Sequence, residues 1–211
     1  MADFKLAEVY YLIHKLQPQA LIGSNHHLAP NPGEDFQMFE KDLPGRSTKS
    51  FATSADDIGN LPLEVCETIN GSWGFNLKDR KHKSKKDLVQ YLIKAAGYDS
   101  NLLLNVGPMP NGKIQKEHIK SLKEIGDWVK INGETIYGTS RGPIDPTDEI
   151  ASTQKDNTIY IHLLDNRKTY FIEGYNPKIK KISYYHSNKK VKYQKTKSGL
   201  SIPELINKSG S

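Results

Sequence analysis

Between Lys85 and Gly133 the sequence changes its period twice, and this restricts the fold more than any other feature. Residues 85–97 place Leu88, Leu92, Ile93 and Ala96 at helical spacing, and Gly97 suits a helix C-terminus. Residues 101–106 (NLLLNV) are a short, continuous apolar run. Residues 115–132 return to helical spacing through Ile119, Leu122, Ile125 and Val129, and Gly133 follows. A continuous apolar run between two amphipathic helices reads as a strand buried on both faces, as in a parallel sheet wrapped by helices.

The upstream sequence repeats the theme. Residues 4–16 carry Leu6, Val9, Tyr10, Ile13 and Leu16 at helical spacing. Residues 20–24 (ALIGS), 35–40 (DFQMFE) and 63–69 (LEVCETI) read as short strands. Polar, Pro- and Gly-punctuated stretches at 25–33, 42–62 and 70–84 read as loops. The expectation is a parallel α/β sheet or barrel. Near Gly142-Pro143 the pattern changes: no helix is expected beyond it. Runs at 158–164, 169–173, 179–185 and 191–193 alternate instead, with turn signals at 165–166, 176–177 and 187–188. A boundary therefore falls at about 142, with residues 1–141 forming the α/β part and 142–211 a small antiparallel β-sandwich.

Charge and cysteine content close off several classes. The net charge is +6, and residues 178–197 hold Lys178, Lys180, Lys181, Lys189, Lys190, Lys192, Lys195 and Lys197. Such a segment is either a polyanion-binding surface or the solvated face of exposed strands, where lysine also discourages edge pairing. Its alternation with Ile, Tyr and Val favours the second, so no nucleic-acid partner is expected. Cys66 is the single cysteine, which rules out an intrachain disulfide and a cysteine-cluster metal site. No apolar run approaches the roughly 20 residues of a membrane span. Residues 1–17 lack the apolar core of a signal peptide, so either the protein is cytoplasmic or its true N-terminus lies upstream.

In a barrel, chemistry sits at the C-terminal ends of strands. That rule selects Asn25, His26 and His27 after ALIGS, Glu40 at the end of DFQMFE, Glu64 and Glu67 within LEVCETI, and Trp73 after it. Histidine and carboxylate could hold a metal, but adjacent histidines on an extended chain point to opposite sides. A sugar site accounts for more: His and Asn bond hydroxyls, a Trp face covers the apolar side of a ring, and carboxylates do acid/base or nucleophilic work. The plainer readings are that Glu40, beside Lys41, is a solvated strand-end carboxylate, and that Trp73, between glycines, is a core plug.

The runs SNHH (24–27), PGEDFQMFEKDLPG (32–45), LPLEVCETINGSWGFN (61–76), NLLLNVGPMPNGKI (101–114) and INGETIYGT (131–139) resemble the α-L-fucosidases of glycoside hydrolase family 29. The resemblance implies the C-terminal half of a (β/α) TIM-like barrel followed by a β-sandwich. It also implies a retaining hydrolase that needs no cofactor or metal and releases terminal α-linked L-fucose from fucosylated glycans in the periplasm or outside the cell. By position in the family's motifs, Glu40 matches the general acid/base, with Glu34 and Glu64 as competitors. Trp73 matches an aromatic that packs near the fucose methyl group, and His26 and, more weakly, His27 fall where relatives contact the sugar. No segment matches the nucleophilic aspartate, so these residues are expected to carry part of an active site and to be inactive alone. Exposed barrel edges would then favour self-association. The alternative is a catalytically inactive sugar-binding or structural fragment.

Overall fold

A computed structural model describes residues 5–25, 28–45, 58–175 and 178–203. The α/β part opens with α1 (Leu6–Leu16) and strands β1 (Gly23–Ser24), β2 (Phe36–Glu40) and β3 (Leu63–Thr68). It continues with α2 (Lys85–Gly97), β4 (Ser100–Asn105) and α3 (Lys116–Asn132). The four strands form one parallel sheet in chain order. Helix α2 starts where it does because Ser84 and Asp87 cap it reciprocally: the Asp87 N–H donates to Ser84 Oγ at 3.1 Å, and the Ser84 N–H donates to Asp87 Oδ2 at 3.0 Å.

Side-chain alternation splits the sheet into two faces. Phe39 and Val65 turn to one side and pack under α2 with Leu43 and Ala95, joined by Leu63, Tyr91, Tyr98 and Leu102. The register puts Met38 and Glu40, Glu64 and Cys66, and Asn101, Leu103 and Asn105 on the other side. The run 101–106 is thus not buried on both faces. Leu102 lies under α2, whereas Leu103 is 46% exposed, because the helices cover one face only.

The strand expected over 20–24 is paired only at Gly23 and Ser24. Just before them the Asp35 carboxylate takes the Ile22 N–H at 2.7 Å and lies 2.9 Å from His14 Nε2. Those hydrogen bonds hold the Asp35 carboxyl below the usual carboxylate range. Helix α1 covers the entry to β2 with Tyr10, while Leu6, Val9, Leu12 and Leu16 stay exposed.

Beyond α3 come a 3-10 turn (Gly133–Thr135) and strands β5 (Ser140–Arg141), β6 (Ile150–Lys155), β7 (Thr158–Leu163), β8 (Thr169–Glu173), β9 (Gln194–Thr196) and β10 (Gly199–Pro203). They form two antiparallel sheets, ordered β5-β6-β7 and β8-β10-β9. Ile150 from the first joins Tyr170, Ile172, Leu200 and Ile202 from the second in one core, with Ile144 between them. β6 also packs on α2, where Ala151 meets Val89 and Ile93.

Two strand expectations fail here. Residues 179–185 and 191–193 are not strands; the Val191 N–H donates to Ile182 O at 3.1 Å, beside an isolated bridge Ser183↔Lys190. Their alternation is strand-like, but β8 and β9 both pair with β10, and neither run joins that sheet. Conversely β6, β10, β9 and β5 went unread. In β6 the sequence IASTQK looks polar, yet Ala151, Ser152 and Thr153 are fully buried. The reason is close packing: a Cβ on Gly142 would sit 2.7 Å from the Ser152 backbone carbon, and Ser152 Oγ satisfies both Ile144 N and Ile144 O at 2.8 Å.

His162 on β7 pairs with Ala151, and burial pushes its imidazole down to about 4 from an ordinary 6.5. A base whose folded-state pKa is depressed leaves the fold at full stability above the unfolded value, where it is neutral in both states. That stability is lost as the pH falls towards the folded value. Urea unfolding is therefore expected to show stability falling between pH 6.5 and pH 4, by on the order of 2–3 kcal/mol at pH 4.5. In His162→Phe that share of the decline should vanish; an unchanged pH slope would refute the assignment.

Candidate active site

Because all four strands run the same way, their C-terminal ends lie on one edge of the sheet, and this edge gathers the polar side chains. Glu40 is the last residue of β2, half-buried. Its Oε2 accepts from Asn25 Nδ2 at 2.7 Å, just past β1, and its Oε1 accepts from Trp73 Nε1 at 2.8 Å, in the loop after β3. The Trp73 carbonyl accepts in turn from Asn105 Nδ2 at 2.7 Å, at the end of β4. Four strand ends are thus joined in one hydrogen-bonded row with Glu40 near its middle.

Lys41 continues the β2 ladder through its N–H to Cys66 O at 2.8 Å, and then turns into a left-handed conformation at φ 58°. That turn swings its side chain across the rim. Nζ donates to Gly71 O at 3.0 Å and lies 5.1 Å from the centre of the Trp73 ring. The Trp73 loop is fixed from its other end too. Ser72 Oγ donates to Asp79 Oδ2 at 2.8 Å, and this bond, helped by backbone N–H groups, holds the Asp79 carboxyl low. The backbone at Gly107 lies against Gly74, where an added Cβ would be 2.6 Å from the Gly74 carbonyl carbon.

The other carboxylates occupy different places. Glu64 shares the open face with Glu40 but pairs with Met38, one side-chain layer (about 6–7 Å) nearer the strand start. Glu34 precedes β2, at the opposite edge of the sheet. It is buried, accepting from Tyr10 OH at 3.1 Å and from the Asn31 N–H at 2.9 Å. Glu67 points to the helix side, buried beside Lys83 Nζ at 3.2 Å and accepting from the Thr68 N–H at 2.7 Å. Cys66 neighbours Glu40 across the sheet; burial first, then the charges of Glu40, Glu64 and Glu67, raise its thiol pKa, leaving it a poor nucleophile. His26 and His27 lie outside the described residues. No group of three or more His, Cys, Asp or Glu among the described residues is placed to hold a metal, and no described helix is long and apolar enough to cross a membrane.

Glu40 is therefore more than a solvated strand-end carboxylate, and Trp73, 36% exposed, is not a core plug. Sequence reasoning missed Asn105, which it placed in the apolar run read as a strand, and Lys41, which it took as a sign that Glu40 is solvated. A polar residue closing an apolar strand run was the one available signal for Asn105. A carboxyl gripped at both oxygens, with an aromatic ring beside an open sheet face, can present a proton donor or acceptor to a ligand on that face.

Residues 2–134 match the family model described as alpha-L-fucosidase. An alpha-L-fucosidase of Branchiostoma floridae is 32% identical over 193 residues, covering 77% of this chain and 43% of that protein. The plasma alpha-L-fucosidase of Homo sapiens is 30% identical over 161 residues, covering 64% of this chain and 34% of that protein. The chain thus spans less than half the length of these relatives. Among solved structures, alpha-L-fucosidase isoenzyme 1 from Paenibacillus thiaminolyticus superposes with a TM-score of 0.75 at 28% identity, over 98% of this chain and 51% of that one. A Bacteroides thetaiotaomicron alpha-L-fucosidase, captured as a covalent intermediate, gives a TM-score of 0.75 at 18% identity over 97% of this chain and 50% of that one; this likeness is one of fold.

Proposed function

Because the chain belongs to the α-L-fucosidase family, we propose that it forms the acid/base side of a retaining α-L-fucosidase that releases terminal α-linked L-fucose from glycans. In this reading residues 1–141 are the C-terminal half of a (β/α) barrel and residues 142–211 a β-sandwich domain. The parallel order β1-β2-β3-β4 with α2 on one face, and the shared core of the two antiparallel sheets, support it.

One observation carries the residue assignment: Glu40 ends a parallel strand where Asn25 and Trp73 hold its two oxygens. Glu40 gives its proton to the glycosidic oxygen as the bond to the anomeric carbon breaks, and a second carboxylate traps that carbon as a fucosyl ester. Glu40, now a base, then takes a proton from the water that attacks the ester, freeing fucose with its configuration retained. Retaining chemistry places the two carboxyl groups about 5–5.5 Å apart. Glu64, a layer below and aligned with Met38, suits that role poorly, so the nucleophile is assigned to strands outside these 211 residues. The exposed side of Trp73 meets the apolar side of fucose, and His26 and His27 meet its hydroxyls. The captured intermediate of the Bacteroides protein is the species such a double displacement would form in that enzyme.

The test is hydrolysis of an aryl α-L-fucoside. The 211-residue chain alone is expected to give no release above background. The same chain completed with the nucleophile-bearing barrel strands of a relative should release fucose, with the α-anomer formed first. Turnover by the chain alone that survives Glu40→Ala, or first release of the β-anomer, would overturn the reading.

A further inference from the structure

We propose that Trp73 has a second task besides facing the sugar: its indole N–H is the positioning group for Glu40, and Asn105 and Lys41 are positioning residues that hold Trp73 to it. This deepens the assignment of Glu40 as acid/base and rests on it.

A carboxyl group on a flexible side chain delivers a proton efficiently only if its plane is fixed relative to the scissile bond. On a tethered carboxyl, one hydrogen bond at each oxygen fixes that plane. Glu40 has them in Trp73 Nε1 at 2.8 Å on Oε1 and Asn25 Nδ2 at 2.7 Å on Oε2. An indole nitrogen is a donor only, and so is an amide NH2, so neither group can take the catalytic proton away from Glu40. They orient the carboxyl and leave its proton to the substrate.

The indole must itself be immobile for this to work, and its surroundings provide that. Asn105 holds the Trp73 carbonyl at 2.7 Å. The Lys41 ammonium sits over the ring at 5.1 Å while anchored to Gly71 O at 3.0 Å. Lys41 can reach both because it adopts the left-handed conformation directly after Glu40. With the ammonium on one face of the ring, the other face is left for a sugar. Glu40, Lys41, Trp73 and Asn105 thus link three adjacent strand ends into one device. Binding a ring against Trp73 and orienting the proton donor become the same event.

Two measurements test this. In the 211-residue chain the indole N–H resonance of Trp73, told apart from that of Trp128 by Trp73→Phe, should shift as Glu40 titrates and stop responding in Glu40→Ala. An indole resonance indifferent to Glu40 overturns the proposal without any need for activity. In the completed enzyme, Trp73→Phe keeps an aromatic face and loses the N–H. It is expected to lower kcat about tenfold or more on fucosides with poor leaving groups, with little change in KM, as befits losing a hydrogen bond that orients the acid in the transition state. Asn105→Ala should give the same kcat-weighted pattern more weakly. A raised KM with unchanged kcat in Trp73→Phe would make the ring a platform only and sink the positioning role. The two readings fail separately: if Glu40→Ala itself spares poor leaving groups, the acid/base assignment falls; if it does not and Trp73→Phe is silent, only the positioning role falls.

Discussion

Glu40→Ala in the completed enzyme is expected to slow hydrolysis of fucosides with poor leaving groups by about 10²–10⁴-fold, the usual contribution of a general acid/base. Activated aryl fucosides should suffer less in the first step, since a good leaving group needs no proton. For them the second step becomes limiting, because water then lacks its base. Added azide should restore the rate and yield fucosyl azide, since azide needs no base and fits where the carboxyl was. Glu64→Ala is expected to remain within a few-fold of the parent on both substrate types, because Glu64 lies a layer below the rim. Glu34→Ala should weaken the tie between α1 and the start of β2, where Glu34 accepts from Tyr10 and Asn31, and leave the leaving-group dependence intact. If azide rescues Glu64→Ala and not Glu40→Ala, the two roles are reversed.

The second large effect is expected from Gly107→Ala. The position has no positive φ to explain its glycine; the reason is space. A methyl group there would meet the Gly74 carbonyl carbon at 2.6 Å and Phe75 N at 2.7 Å, and both are backbone atoms that no rotamer change can move. The loop carrying Trp73 would have to lift off the end of β4, straining the Asn105 bond to the Trp73 carbonyl and the indole bond to Glu40. Overpacking of this kind costs roughly 1–3 kcal/mol or more. The expected result is a lowered thermal midpoint together with loss of the Glu40 response of the Trp73 indole. Gly112→Ala is the control. Gly112 has φ +76° and open space around it, so alanine there should cost only about 1 kcal/mol of backbone strain and leave Trp73 untouched. If both variants behave alike, the close approach at Gly107 does not hold the loop.

Much of the α/β part was legible because periodicity records burial directly. Helix α2 has the bounds its Leu88, Leu92 and Ile93 spacing implies, and β2, β3, β4 and α3 lie within a residue or so of their expected positions. The antiparallel region was less legible. β6 is buried through Ala151, Ser152 and Thr153, small residues selected by close approach to α2 and Gly142, and smallness leaves no periodic apolar trace. The lysine-rich runs at 179–185 and 191–193 alternate like strands, but strand formation depends on pairing with distant segments, and β8 and β9 pair with β10 instead.

The site divides the same way. The sequence alone determined the order of elements in the α/β part, the family through its motifs, and Glu40 and Trp73 as candidates, because strand ends and unusual residues in glycine-rich turns are local features. Only the tertiary structure decided that Glu40 is held by Asn25 and Trp73, that Glu64 sits a layer lower, that Glu34 and Glu67 are bound up elsewhere, and that Lys41 and Asn105 belong to the rim. The physical reason is the parallel register. It brings residues up to 80 positions apart to one edge, and sets depth by pairings that no single stretch of sequence contains.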